Sequence, residues 1–300
     1  MTRLARHQAG FALAWAVSLI VWWKPLVTTF ALSLRDSEYT HVFLILPISA
    51  ALIFLERRPL RAMANMDTRI GAVFFVLATL VDSSTFGWPT SFPSDVQLSV
   101  RMLALVLWWI GAFVLCFGLR ASRLVVFPLC FLFGLVPLPR AIMTVIVALL
   151  QQGSAWAAHG LFTVCGVPVA QNGVLLTIPG LTLQVAQECS SIRSSSMLFV
   201  TSMVLAQLLL RSPWRKALVC LLAVPLSIAK NGLRIFTIAM LATRIDPRYF
   251  TGRLHHQGGI VFFAIILVVV LALLWVLRRG EELSLKSGLQ PEKIEATGDE

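Results

Sequence analysis

Charge is what this chain has least of. Only 13% of its 300 residues are Asp, Glu, Lys or Arg, while 58% are hydrophobic and the mean hydropathy is +0.83. A soluble domain carries about a quarter charged residues, so a water-exposed globular fold is excluded. Acid is scarcest, with 14 Asp and Glu against 25 Lys and Arg and a net charge of +11. That excess does not indicate a nucleic-acid partner, because the cations do not gather in one stripe. They flank apolar runs instead: Arg57, Arg58 and Arg61; Arg120 and Arg123; Arg211, Arg215 and Lys216; Arg278 and Arg279. This is the layout of cytoplasmic loop anchors. Cysteine is sparse and odd in number, at Cys116, Cys130, Cys165, Cys189 and Cys220, which argues against a disulfide framework. No Cys or His spacing resembles a zinc site, so neither metal nor cofactor is expected. A small-residue cleavage site is also missing after the first apolar run, which therefore reads as a retained span.

Long apolar runs are what the chain does have. Together they indicate an all-α polytopic membrane protein of about eight transmembrane helices, near 11–31, 41–56, 70–86, 98–118, 123–139, 190–210, 216–243 and 257–277. One membrane domain then covers 1–280, with an acidic, disordered cytoplasmic tail over 281–300. The basic loops share one side in this scheme and the opposite loops carry Asp36, Glu38, Asp82 and Asp95. Both termini are then cytoplasmic in a cell inner membrane. Segment 140–166 is apolar but holds Gln151, Gln152, Ser154 and His159. If it crossed, the 211–216 cluster would turn external, so the charge rule favours an interfacial or re-entrant helix. The stretch 167–188 alternates around Asn172-Gly173 and reads as a small external hairpin.

Three polar features fall at the outer ends of the last spans. The first runs from Glu188 and Cys189 to Arg193 and Ser194, the second from Lys230 and Asn231 to Arg234, and the third from Arg253 through His255 and His256 to Gly259. An arginine in an apolar helix faces a bundle interior or a wet cavity, or else snorkels to the interface. Lys230 and Arg234 are four apart and share a helical face. Cys189 opens a helix with Arg193 at i+4, where the dipole and a guanidinium favour thiolate. Such a nucleophile needs a base and an oxyanion partner, and His255 or His256 can supply the acid/base group.

These motifs resemble the exosortase/archaeosortase family of membrane-embedded cysteine transpeptidases. The family pattern Cys-x-Gly-Ile-Arg-Ser corresponds to Cys-Ser-Ser-Ile-Arg-Ser at 189–194. Asn-x-x-Arg corresponds to 231–234, and His-x-x-x-Gly to His255 with Gly259. Tyr39-Thr40-His41, and the run from Leu132 to Pro137-Leu138-Pro139, are similar to two upstream segments, so the likeness covers about 35–275. Ser191 stands where the family has Gly. The resemblance implies Cys189 as nucleophile, His255 as general acid/base and Arg234 as oxyanion stabiliser. Arg193, Asn231, Lys230 and His256 are supporting candidates, with Gln187 and Glu188 behind them. It also implies partners: membrane-anchored proteins with a C-terminal sorting signal, made of a Pro-containing motif, a transmembrane helix and a basic tail. These would be cut at the outer face and passed to an acceptor. Two other classes fit the residues. A transporter or channel could use Lys230 and Arg234 as an anion path, and a scaffold would need none of the three.

Overall fold

The computed structural model describes residues 3–63, 67–89, 92–185, 192–246, 248 and 253–288, and the chain divides into two compact units, Met1–Val145 and Ile146–Glu300. Among the described residues, six helices are long and apolar enough to cross a membrane, or seven if a bent pair counts as one. The expected eight is not reached, for reasons that are local in each case.

In the first unit the run expected as one span at 11–31 is two helices, α1 (Arg3–Val21) and α2 (Trp23–Arg35), bent by 74°. Pro25 explains the break. It has no N–H to give the Val21 carbonyl, and its ring crowds that oxygen. After a 3₁₀ turn, α3 covers Val42–Leu55, and α4 (Arg57–Met63) carries the basic loop. Helix α5 (Thr68–Ser83) has 16 residues, about 24 Å, short of a ~30 Å hydrocarbon core. Helix α6 (Ser94–Leu124) is the buried centre of the unit, broken at Gly118 (φ 83°, ψ 164°), the boundary at which hydropathy ends its span. Close contact with α5 relies on glycine. A Cβ on Gly71 would stand 2.5 Å from Leu115 Cβ, and one on Gly111 2.8 Å from Phe74 Cβ. Small residues of this kind let backbones approach in lipid. Three indoles of this unit find acceptors, as apolar surroundings favour. Trp108 donates to the Ala14 carbonyl (3.0 Å), Trp109 to Ser18 (2.8 Å) and Trp22 to Asp82 (3.0 Å).

The expected fifth span, 123–139, is also irregular. Helix α7 (Val126–Phe131) and a 3₁₀ turn to Leu135 are followed by extended chain through Pro137 and Pro139. Each proline holds its predecessor out of the α region. This strand-like segment returns to the start of α6. Ser99 donates to the Pro137 carbonyl (2.6 Å), Tyr39 to that of Leu138 (2.8 Å), and Arg140 N to Asp95 (2.7 Å).

Helix α8 (Arg140–Val164) is one 25-residue helix, long and apolar enough to span, where the sequence suggested an interfacial or re-entrant piece. The hairpin expected at 167–188 is a three-stranded antiparallel meander: β1 (Ala170–Asn172), β2 (Leu175–Ile178) and β3 (Leu181–Gln184). Its first turn centres on Gly173 (φ 59°) and Val174, its second on Pro179 and Gly180 (φ 83°), the Pro-Gly order of a type II turn. Leu176, Ile178 and Leu183 point inward onto Ala155, Ala158 and Phe162 of α8. The remaining helices are α9 (Ile192–Leu209), α10 (Pro213–Arg244) and α11 (Arg253–Gly288). Helix α11 runs to Gly288, beyond the expected domain end at 280. Its Glu281 is buried and accepts hydrogen bonds from Arg211 N (3.0 Å) and Ser212 N (2.8 Å).

Candidate active site

Helix α10 is the frame of the site. It has 32 residues, with Lys230, Asn231 and Arg234 just past its middle. Lys230 is 4% exposed and Asn231 1% exposed, so both are held inside the protein, while Arg234 is half-buried. Burying an ammonium in an apolar helix is costly unless it is hydrogen-bonded. The structure supplies a bond: Lys230 Nζ donates to the Ser194 hydroxyl. One turn below, Ser227 donates to Ser195. At the far end of the same pair of helices Lys216 donates to Gln207 (2.9 Å), so α9 and α10 lie antiparallel along their length.

The contact between Ser194 and Lys230 fixes the level at which the Cys-Ser-Ser-Ile-Arg-Ser motif meets α10. Ser194 is the last residue of that motif. The motif's Arg193 is exposed, and its Cys189, with Gln187 and Glu188, lies outside the described residues. Arg234 sits one turn beyond Lys230, on the same helical face.

Helix α8 lines the opposite side of α10. Asn231 Nδ2 donates to Ser154 Oγ (2.9 Å), and Ser154 in turn donates to the Leu150 carbonyl (2.6 Å). Gly232 permits this approach, since a Cβ there would stand 2.5 Å from Ala157 Cβ. Gln151 and Gln152 donate to the carbonyls of Val185 (3.4 Å) and Gly173 (3.3 Å), tying α8 to the sheet. Of the polar residues that made 140–166 look unlike a span, Gln151, Gln152 and Ser154 thus have partners within the protein, and Ser154 is buried. From sequence, Ser154 and Ser194 were named without partners, and Ser195 and Ser227 were not named. The signal that could have found them is the mismatch between a buried lysine and its apolar neighbours.

Helix α11 is antiparallel to α10. Arg215 Nη1 donates to the Leu277 carbonyl (2.7 Å), so the last turns of the membrane-length part of α11 lie at the first turn of α10. His255 and His256 fall in the first turn of α11, toward the half of α10 that carries Arg234. Only the backbone of these histidines is described. Among the described residues, no group of three His, Cys, Asp or Glu side chains is set to hold a metal ion.

The arrangement therefore converges Ser194, Lys230, Asn231 and Ser154 at the middle of α10. Arg234 lies one turn further on, and α9 and α11 both begin toward that half of α10. In comparison with known proteins, the model of a family described as transmembrane exosortase (Exosortase_EpsH) matches residues 22–272. Among curated proteins and among solved structures, nothing matches the chain.

Proposed function

The chain belongs to the transmembrane exosortase family, and on that premise we propose that it is a membrane cysteine transpeptidase acting on C-terminal sorting signals. The observation that carries the residue assignment is the bond from Lys230 to Ser194. It docks the end of the Cys189 motif one helical turn from Arg234.

In the proposed reaction the Cys189 thiolate attacks the scissile carbonyl carbon. A C–S bond forms, and the carbonyl π electrons move to oxygen. The Arg234 guanidinium stabilises that oxyanion. As the tetrahedral species collapses, the C–N bond breaks and His255, as imidazolium, gives its proton to the departing amine. A thioacyl enzyme remains. Neutral His255 then takes the proton of an acceptor nucleophile, which attacks the thioester, and the thiolate leaves. Lys230, Asn231 and Arg193 serve as supports: the first two hold α9 and α8 against α10, and Arg193 adds positive charge beside the thiolate.

Depth supports an outer-face site. The loop 211–216 is basic, so the positive-inside rule puts the start of α10 in the cytoplasm. Arg234 is then about 31 Å along the helix from Pro213, the thickness of a hydrocarbon core. At that depth a sorting signal's helix ends and water is available for proton transfer. The same rule keeps both termini cytoplasmic and favours an interfacial or re-entrant α8 over a full crossing.

The test is co-expression with a tagged protein that carries a Pro-motif, a transmembrane helix and a basic tail. Wild type should shorten the tagged protein, and Cys189→Ala should leave it uncut at equal enzyme abundance. Cutting that persists in Cys189→Ala would remove the proposal. A transporter using Lys230 and Arg234 would tolerate that substitution.

A further inference from the structure

The first unit contains a polar pocket that no step above uses. It has a volume of about 500 Å³ and lies at the start of α6. Three cations from three elements line it: Lys24 of α2, Arg101 of α6 and Arg140, the first residue of α8. Among the described residues none of the three is in an ion pair. Two carboxylates also line it: Asp95, which accepts from Arg140 N (2.7 Å), and Asp36, which accepts from Glu38 N (3.1 Å). Three cations therefore face two carboxylates, which leaves the lining with an excess of one positive charge. The other wall is apolar, formed by Pro25, Leu32, Leu98 and Leu138.

The floor is fixed in place. The extended segment at Pro137 and Leu138 is pinned by Ser99 and by Tyr39 through the bonds given above. Arg101 lies seven residues inside a candidate span, about 10 Å from its start, where an arginine needs a partner. Among the described residues its one hydrogen bond, to Thr85 Oγ1, is long at 3.4 Å. Ten ångströms below a helix end is the region between hydrocarbon and headgroups.

We propose that this pocket binds the phosphate group of a membrane lipid, with the headgroup between Lys24, Arg101 and Arg140 and the start of its acyl chains on the apolar wall. Arginine pairs bidentately with phosphate, lysine adds a point charge, and basic pockets beside membrane helices take lipid headgroups. The site is independent of the transpeptidase assignment.

The test uses the full-length chain in detergent. Phosphatidylglycerol, diacylglycerol and inorganic phosphate are titrated separately, with lipid retention read by intact-complex mass spectrometry and stability by thermal melting. Phosphatidylglycerol is expected to be retained and to raise the melting temperature, whereas diacylglycerol and inorganic phosphate at equal concentration do neither. The double variant Lys24→Gln/Arg140→Gln should bind at least tenfold more weakly. Both side chains are exposed, and the bond from Arg140 to Asp95 uses the backbone, so the fold is kept. Arg57→Gln/Arg58→Gln, which removes charge from α4, should bind as wild type does. Equal retention of diacylglycerol, or unchanged binding in the Lys24/Arg140 variant, would overturn the site. Equal protection by inorganic phosphate would overturn the lipid assignment.

Discussion

Replacing Gly232 by alanine tests the packing on which the active-site frame depends. The added Cβ would stand 2.5 Å from Ala157 Cβ, 3.0 Å from Ala158 N and 3.1 Å from the Ala157 carbonyl carbon. Carbon atoms rest at ~3.5–4.0 Å, so α8 and α10 must part by ~1 Å. Neither neighbour is the flexible end of a long side chain, so overpacking of about 1–3 kcal/mol is expected. The same movement stretches the bond from Asn231 to Ser154, now 2.9 Å, past useful length. A hydrogen bond of this kind in a membrane protein is worth about 0.6–1.7 kcal/mol. The total is ~2–5 kcal/mol, or a fall of about 4–20 °C in melting temperature at ~2–4 °C per kcal/mol. Melting of the detergent-solubilised protein reads the shift, and processing of a tagged substrate should fall with it. Adding Ala157→Gly removes the nearest atom while leaving the two backbone atoms, so it should restore part of the loss. A Gly232→Ala protein that melts as wild type does, or one that Ala157→Gly leaves unimproved, would refute this reasoning.

Glu281→Ala removes the acceptor for Arg211 N and Ser212 N and the 3.9 Å ion-pair partner of Arg215. It should cost about 1–3 kcal/mol, lowering the melting temperature while leaving the processing rate per folded enzyme unchanged. Tyr39→Phe deletes the 2.8 Å bond to the Leu138 carbonyl and should cost about 1 kcal/mol, seen again by melting. For α8, a single cysteine placed at Thr163 or Val164, at its far end, in a chain lacking other reactive thiols should be labelled by a membrane-impermeant maleimide added outside intact cells. Labelling only after the cytoplasm is opened would mean that α8 crosses completely.

Hydropathy located α3, α6, α9, α10 and α11 because each is a long uniform run with charge at its ends. It merged α1 with α2 and overestimated 123–139 for one shared reason. Apolar residues are equally apolar in a helix, a bend or extended chain. The information lay instead in Pro25, Pro137 and Pro139, whose missing N–H groups interrupt the helical ladder there, although Pro47 and Pro225 are accommodated inside α3 and α10. The Asn172-Gly173 signal marked the first turn of the sheet, but Pro179-Gly180 marked a second turn of equal strength and added β3. At the site, Lys230, Asn231 and Arg234 were legible as charges and amides misplaced in an apolar helix. Their partners were not, because Ser154, Ser194, Ser195 and Ser227 are small residues that occur in membrane helices for many reasons. Which serine meets which polar group depends on helix register, and one sequence does not encode register in any local pattern.

The thioacyl enzyme is open to direct capture. Full-length enzyme co-expressed with a sorting-signal substrate can be isolated under acid quench and its peptides weighed by mass spectrometry. The account predicts a substrate fragment joined to the Cys189 peptide, released by neutral hydroxylamine and absent from Cys189→Ala. It also predicts that the adduct still forms when Ser194 is changed to alanine, though more slowly. A cleaved substrate with no hydroxylamine-sensitive mass on Cys189, or the same adduct on a different cysteine, would contradict it.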